Sequence, residues 1–154
     1  NIKYKWYHIG YDMNNGILTN QLVELANEFN VNFQFVGFMP NKDVHSFYEN
    51  KQVDLFLNLS SSEGLPVSIM EAYSYGVPAI ATNVGGTSEI VNKKNGYLLD
   101  ANPSSKEVAN TIEGFYNLKG DVKKSKRKAA YETWNKEYKA ENNYAEFVED
   151  ILSL

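Results

Sequence analysis

Residues 53–82 constrain the fold of this 154-residue chain most tightly. Residues 53–59 form a mostly continuous apolar run, the pattern of a parallel strand covered on both faces. A polar loop follows, with Ser60, Ser61, Ser62 and Glu63 leading through Gly64. Pro66 then marks a helix start, where a missing N–H costs nothing, and Gly76 with Pro78 stops that helix after about ten residues. A second short apolar run covers 77–82. Two buried strands joined through a helix form a parallel crossover unit, which requires helices packed on a sheet.

The same alternation extends in both directions. Residues 4–9 are rich in strand formers, and Gly10, Asn14, Asn15 and Gly16 read as the turn after them. Leu18, Leu22, Leu25 and Phe29 recur at spacings of four, three and four, which predicts a helix with one buried stripe. Val31, Phe33 and Phe35 alternate with polar residues as in a strand, ending at Gly37. Asp43 is positioned to cap a short helix carrying Val44, Phe47 and Tyr48. Beyond Thr82 come a Gly85-Gly86 loop, a helical turn near 88–91 and a strand at 97–99. From about residue 104 helices take over, first with Val108, Ile112 and Phe115 on one face, then with Tyr144, Phe147, Val148, Ile151 and Leu152. The expected fold is α/β, a doubly wound, Rossmann-like parallel sheet. With no repeat or linker, a single domain over 1–154 is expected.

Charge and composition narrow the function. A formal net charge of -4 argues against nucleic-acid binding through bulk electrostatics, and the cluster Lys123, Lys124, Lys126, Arg127 and Lys128 reads as a solvated helix face. The chain has no cysteine, so disulfides and thiolate metal sites are excluded. His8 and His45 lack a carboxylate or second His at ligand spacing, so both read as nonfunctional or structural. Apolar runs too short to cross a bilayer, with no leader-like start, lead to an expected soluble, cytoplasmic protein.

In doubly wound sheets ligands bind beyond the carboxyl ends of the strands, near helix N-termini. The loop 60–65 is such a place. Gly64 permits close backbone approach, and the N–H groups of Val67 and Ser68 in the first turn suit a phosphate. Glu71, one turn further in, could accept hydrogen bonds from vicinal hydroxyls. On these residues alone, Ser68-x-x-Glu71 suits a capping box equally well. Gly76 and Pro78 read as structural, and Gly85 and Gly86 as turn residues or as a close approach to ligand.

The run Ser62-Glu63-Gly64-Leu65-Pro66, then Glu71-Ala72, Gly76, Pro78, Ala81-Thr82, Gly85-Gly86, Glu89-Ile90-Val91 and Gly96 resembles the C-terminal domain signature of family 4 glycosyltransferases. Glu63 and Glu71 match that family's Glu-x(7)-Glu motif. Gly37-Phe38-Met39-Pro40 is similar to its base-contacting loop, and the resemblance covers about residues 4–118, with Trp134 a further match. It implies the C-terminal half of a GT-B fold and transfer of a sugar, with retention, from a UDP-sugar or GDP-sugar to an acceptor hydroxyl, in polysaccharide or glycolipid synthesis. It places Glu63 at the donor sugar as the catalytic-site residue and Glu71 at the ribose. The backbone of Gly64, Leu65, Pro66, Val67 and Ser68 would lie against sugar and diphosphate oxygens, with Phe38 and Met39 at the base. It implies no cofactor and no metal.

The family's basic diphosphate-binding pair has no match here, and Gly10-Tyr11-Asp12 departs from its Gly-x-Gly turn. The chain is therefore expected to be truncated at its N-terminus, to lack turnover alone and to bind nucleotide weakly. The acceptor domain of the same protein is its expected partner, nucleic acid is not, and peripheral association at the inner membrane face fits the resemblance. A noncatalytic nucleotide-sugar-binding or interaction domain is the alternative, and a nucleotide-sugar epimerase of GT-B type a more distant one.

Overall fold

Alternating apolar runs and helical stretches produce parallel strands linked by helices throughout the computed structural model, which describes residues 4–12 and 16–153. Asn14 and Asn15 of the expected turn lie outside the described residues. The chain divides into two compact units, Asn1–Phe47 and Tyr48–Leu154.

The first unit holds β1 (Lys5–Ile9), α1 (Ile17–Glu28) and β2 (Asn32–Gly37), and α2 (Asn41–Asn50) begins within it. β1 and β2 pair in parallel from Lys5 opposite Asn32 to Ile9 opposite Gly37, with a register shift between His8 and Ile9. The pairing sets aromatic rings side by side: Trp6 meets Phe33 edge-on at 5.5 Å, and His8 stacks on Phe35 at 5.2 Å. The first turn of α1 is tied by Asp12, whose carboxylate accepts from the Thr19 N–H at 2.7 Å and the Thr19 hydroxyl at 2.8 Å. Asp12 thus serves as a helix-end acceptor.

Two expectations fail in this unit. The stripe Leu18, Leu22, Leu25 and Phe29 is not buried: no residue of α1 is, and Phe29 is 68% exposed beyond the last turn. Two strands about 4.8 Å apart make a ribbon no wider than a helix about 10 Å across, too narrow to enclose an apolar face. Asp43 is not the cap of α2. It lies in the first turn, where its charge suits the helix dipole, and its N–H and that of Val44 both donate to Pro40 O.

The second unit contains β3 (Phe56–Asn58), α3 (Val67–Ser74), β4 (Ala79–Thr82), α4 (Thr87–Ile90), β5 (Gly96–Leu99), α5 (Ser105–Tyr116), α6 (Gly120–Thr133), a π-helical turn (Trp134–Tyr138) and α7 (Ala140–Leu152). Its three strands pair in parallel in the order β3-β4-β5. The α/β class and parallel pairing are as expected, but the strands form two sheets, one in each unit.

β4 lies between two strands and all four of its residues are buried. Ile69 and Tyr73 of α3, Ala79 and Ala81 of β4, Ile90, Val91 and Ala130 of α6 form one core cluster. Its polar centre is Asn95, fully buried. The Asn95 Oδ1 accepts from the Tyr73 hydroxyl at 2.9 Å and the Asn92 N–H at 2.8 Å, while Nδ2 donates to Ile90 O at 2.8 Å and Thr133 Oγ1 at 3.1 Å. All four capacities of the amide are used, the condition under which a buried polar group is tolerated. Burial, with the nearby Tyr138 adding, pushes the Tyr73 phenol far above its ordinary range, so it stays a hydroxyl donor.

The basic cluster of α6 is not simply a solvated face. Lys126 is buried; its ammonium donates to Lys93 O at 2.7 Å and sits 4.3 Å over the Tyr97 ring, and burial lowers its pKa. Arg127 donates to Val53 O at 2.9 Å. Both cations satisfy loop carbonyls that no strand or helix serves. Tyr144, Phe147, Val148, Ile151 and Leu152 of α7, by contrast, are exposed.

Candidate functional site

The site grows from the carboxyl end of β3. Asn58, the last residue of that strand, is buried and opposite Ala81 of β4. Its Oδ1 accepts from the Ser60 N–H at 3.2 Å, turning the chain immediately after the strand, and its Nδ2 donates to Glu63 Oε1 at 3.0 Å. From β4, the buried Thr82 hydroxyl donates to Ser60 O at 2.5 Å. From the loop before α4, the Gly86 N–H donates to Gly64 O at 2.7 Å. Residues 58–64 are therefore held from three sides.

Gly85 makes the third tie possible. It has φ +52°, the left-handed region, and a Cβ there would come within 1.9 Å of Glu63 O. The close approach served by Gly85 and Gly86 is to the Glu63-Gly64 backbone itself, a partner the turn reading did not name.

Pro66, buried and extended at φ -72° and ψ 99°, is the N-cap, so α3 begins one residue later at Val67. No side chain caps this end, and the Ser68-Glu71 capping box is absent because Ser68 already lies inside the first turn. The first turn leaves the N–H groups of Val67 and Ser68 without intrahelical acceptors, beside exposed Gly64, Leu65, Val67 and Ser68. Gly76 ends the helix with φ +61°, as its position predicted. Glu63 and Glu71 are both partly exposed. Burial, reinforced by the charge of Glu71, raises the Tyr48 phenol well above its ordinary range, and Tyr48 stacks on Tyr75 at 5.3 Å.

The second unit thus carries Glu63, Gly64, Leu65, Pro66, Val67, Ser68 and Glu71 on one loop and helix start. Phe38 and Met39 belong to the first unit, where Phe38 stacks on Tyr11 with centroids 4.6 Å apart and planes within 18°, both rings exposed, and Met39 is half-buried. The sequence reading passed over Asn58 and named Thr82 only within the signature run, without a role; a polar residue closing an otherwise apolar strand was the available signal for Asn58. Among the described residues no group of three or more His, Asp or Glu side chains could hold a metal ion, and no helix is long and apolar enough to cross a membrane.

Comparison with known proteins gives a consistent picture. The family model "Glycosyl transferases group 1" matches residues 9–133. The chain is 38% identical over 69 residues to the O-antigen biosynthesis glycosyltransferase WbnH of Escherichia coli, covering 45% of this chain and 19% of that protein. It is 28% identical over 106 residues to the putative colanic acid biosynthesis glycosyltransferase WcaL of Escherichia coli K12, covering 62% of this chain and 26% of that one. The chain thus spans about a fifth to a quarter of the length of these relatives.

Among solved structures, Anabaena HepE in complex with UDP superposes over 97% of this chain and 41% of its own with a TM-score of 0.77 at 20% identity. The C-terminal domain of the glycosyl transferase group 1 family protein LpcC from Francisella tularensis covers 88% of this chain and 70% of its own, with a TM-score of 0.75 at 22% identity. These likenesses show the fold, that of the C-terminal half of GT-B glycosyltransferases.

Proposed function

The chain belongs to the glycosyl transferases group 1 family, and on that premise we propose that it is the donor-binding part of a retaining glycosyltransferase. The whole protein moves a sugar from a nucleoside diphosphate sugar to an acceptor hydroxyl in polysaccharide or glycolipid synthesis. The observation that carries this reading is the triply held loop 58–64, which presents the Glu63 carboxylate directly before an uncapped helix start. A negatively charged diphosphate is stabilised by first-turn N–H groups and the helix dipole, while carboxylates accept from sugar hydroxyls.

In this reading Glu63 accepts from hydroxyls of the donor sugar and Glu71 from the ribose diol. The backbone of Gly64, Leu65 and Pro66 lies along the sugar, and the N–H groups of Val67 and Ser68 meet the diphosphate. In the first unit, the exposed Tyr11–Phe38 stack beside Met39 offers a planar surface suited to a base. UDP is the first donor nucleotide to try, since HepE was solved with UDP and with UDP-glucose. No metal is required, because backbone donors supply the charge stabilisation, so turnover should survive a chelator.

The test is a donor screen on the whole enzyme with the anomeric configuration of the product determined. Retention is expected; inversion overturns the mechanism, and absence of transfer from every donor, with binding retained, favours a noncatalytic binding domain. Glu71→Ala should weaken UDP binding about 10-fold or more, the value of a hydrogen bond to a charged group. An unchanged UDP affinity removes Glu71 from the site.

A further inference from the structure

We propose that Asn58 is a positioning residue that fixes which oxygen of Glu63 is presented to the donor sugar, an inference that rests on the donor-site reading of Glu63. Asn58 is anchored at three levels. Its backbone lies in β3 opposite Ala81, its Oδ1 accepts from the Ser60 N–H at 3.2 Å, and only its Nδ2 is left to reach Glu63 Oε1 at 3.0 Å. Asn58 is 8% exposed, so neither amide end can exchange its partner for bulk water without opening the loop. The orientation follows from the donor count: the Ser60 N–H needs an acceptor and Glu63 needs a donor, so the carbonyl and NH₂ ends each have one assignment.

Oε1 of Glu63 is thereby occupied, and Oε2 has no protein partner among the described residues. A carboxylate with one oxygen clamped by a buried amide loses the freedom to rotate. Its remaining oxygen then has a defined direction in which to accept a sugar hydroxyl, and preorganisation of this kind acts chiefly on the transition state. The Gly85 and Gly86 contacts hold the Glu63-Gly64 backbone, and the Asn58 amide holds the side chain. The two constraints are independent, and both are needed to define the position of Oε2.

The substitution Asn58→Asp separates positioning from simple loop structure. Aspartate keeps the size and the acceptor for the Ser60 N–H, so a purely structural role leaves it mild. It also removes the donor to Glu63 and puts a second carboxylate against the first. The expected result in the whole enzyme, assayed by UDP release from UDP-glucose and GDP release from GDP-mannose, is a fall in kcat of about 10- to 100-fold with little change in donor KM, the scale of one lost hydrogen bond to a charged group. Thermal melts of the whole enzyme provide the second readout. Asn58→Asp lowers the melting temperature, and the double variant Asn58→Asp with Glu63→Gln restores it, because the glutamine amide donates back to the new carboxylate.

Full activity in Asn58→Asp, or a double variant no more stable than Asn58→Asp alone, overturns the proposal while leaving the donor site intact. If Glu63→Gln itself leaves kcat unchanged, the donor-site reading of Glu63 falls, and the positioning role falls with it.

Discussion

The units β1-α1-β2 and β3-α3-β4 are built on the same local plan, yet they differ in almost every measure of burial. In the first, no described residue is buried, and α1 exposes Leu25 at 49%. In the second, Ile69, Tyr73 and every residue of β4 are buried. Helical periodicity is present in both, so amphipathicity is not what separates them. The second unit has a third strand on the far side of β4 and the long helix α6, whose Ala130 joins the core. A strand gains full cover only when flanked on both edges and faces, and a helix is buried only when the surface beneath it is wide enough.

The sharpest way to break this comparison is at the backbone contact that closes the second unit around the site. Gly85→Ala must clear the Glu63 carbonyl and adopt φ +52°, so we expect a loss of about 4 kcal/mol in chemical denaturation, near the top of the single-substitution range. A loss below about 1 kcal/mol would show that the 58–64 loop moves freely. Next comes a matched pair on the two helices. Ile69→Ala in α3 should cost about 3 kcal/mol through lost burial and a cavity, whereas Leu25→Ala in α1 should stay within about 1 kcal/mol. Equal costs would contradict the difference in packing.

Hydrogen exchange sharpens the comparison without mutation. Amides of β4 should exchange orders of magnitude more slowly than those of β1, because few buried contacts oppose local opening of β1. The smallest effect belongs to the cap of α5, where Ser104 and Glu107 form a reciprocal capping box and the Ser104 hydrogen bonds lower the Glu107 pKa. A depressed carboxyl contributes stability above its unfolded value of about 4.5 and loses it as pH falls through the folded value. Ser104→Ala should therefore lower the melting temperature slightly at pH 7 and by still less near pH 3. A cost independent of pH would mean that the box does not depend on the carboxylate.

The two capping patterns show how far local sequence can be read. Ser68-x-x-Glu71 and Ser104-x-x-Glu107 have the same spacing, but only the second is a capping box. In the first, Pro66 places the N-cap two residues upstream of Ser68, so the serine is already helical. The pattern cannot report the backbone angles of its own first residue. Asn58 and Asn95 illustrate a second limit. Each is a single polar residue whose partners are decided by how a loop folds back, 5 residues away for Glu63 and 38 for Thr133.

The sequence alone is enough for the parallel α/β class, the order of the elements as far as β5, the helix stop at Gly76 and the segment 62–71 that carries the candidate site. These follow from hydrophobic period and from residues whose backbone preferences are local. Folding in three dimensions adds that α1 stays uncovered, that Lys126 and Arg127 hold carbonyls, that Gly85 approaches the Glu63 backbone and that the Asn58 amide donates to the Glu63 carboxylate. Each of those depends on which distant groups come within a few ångströms, and spacing along the chain carries no record of that distance.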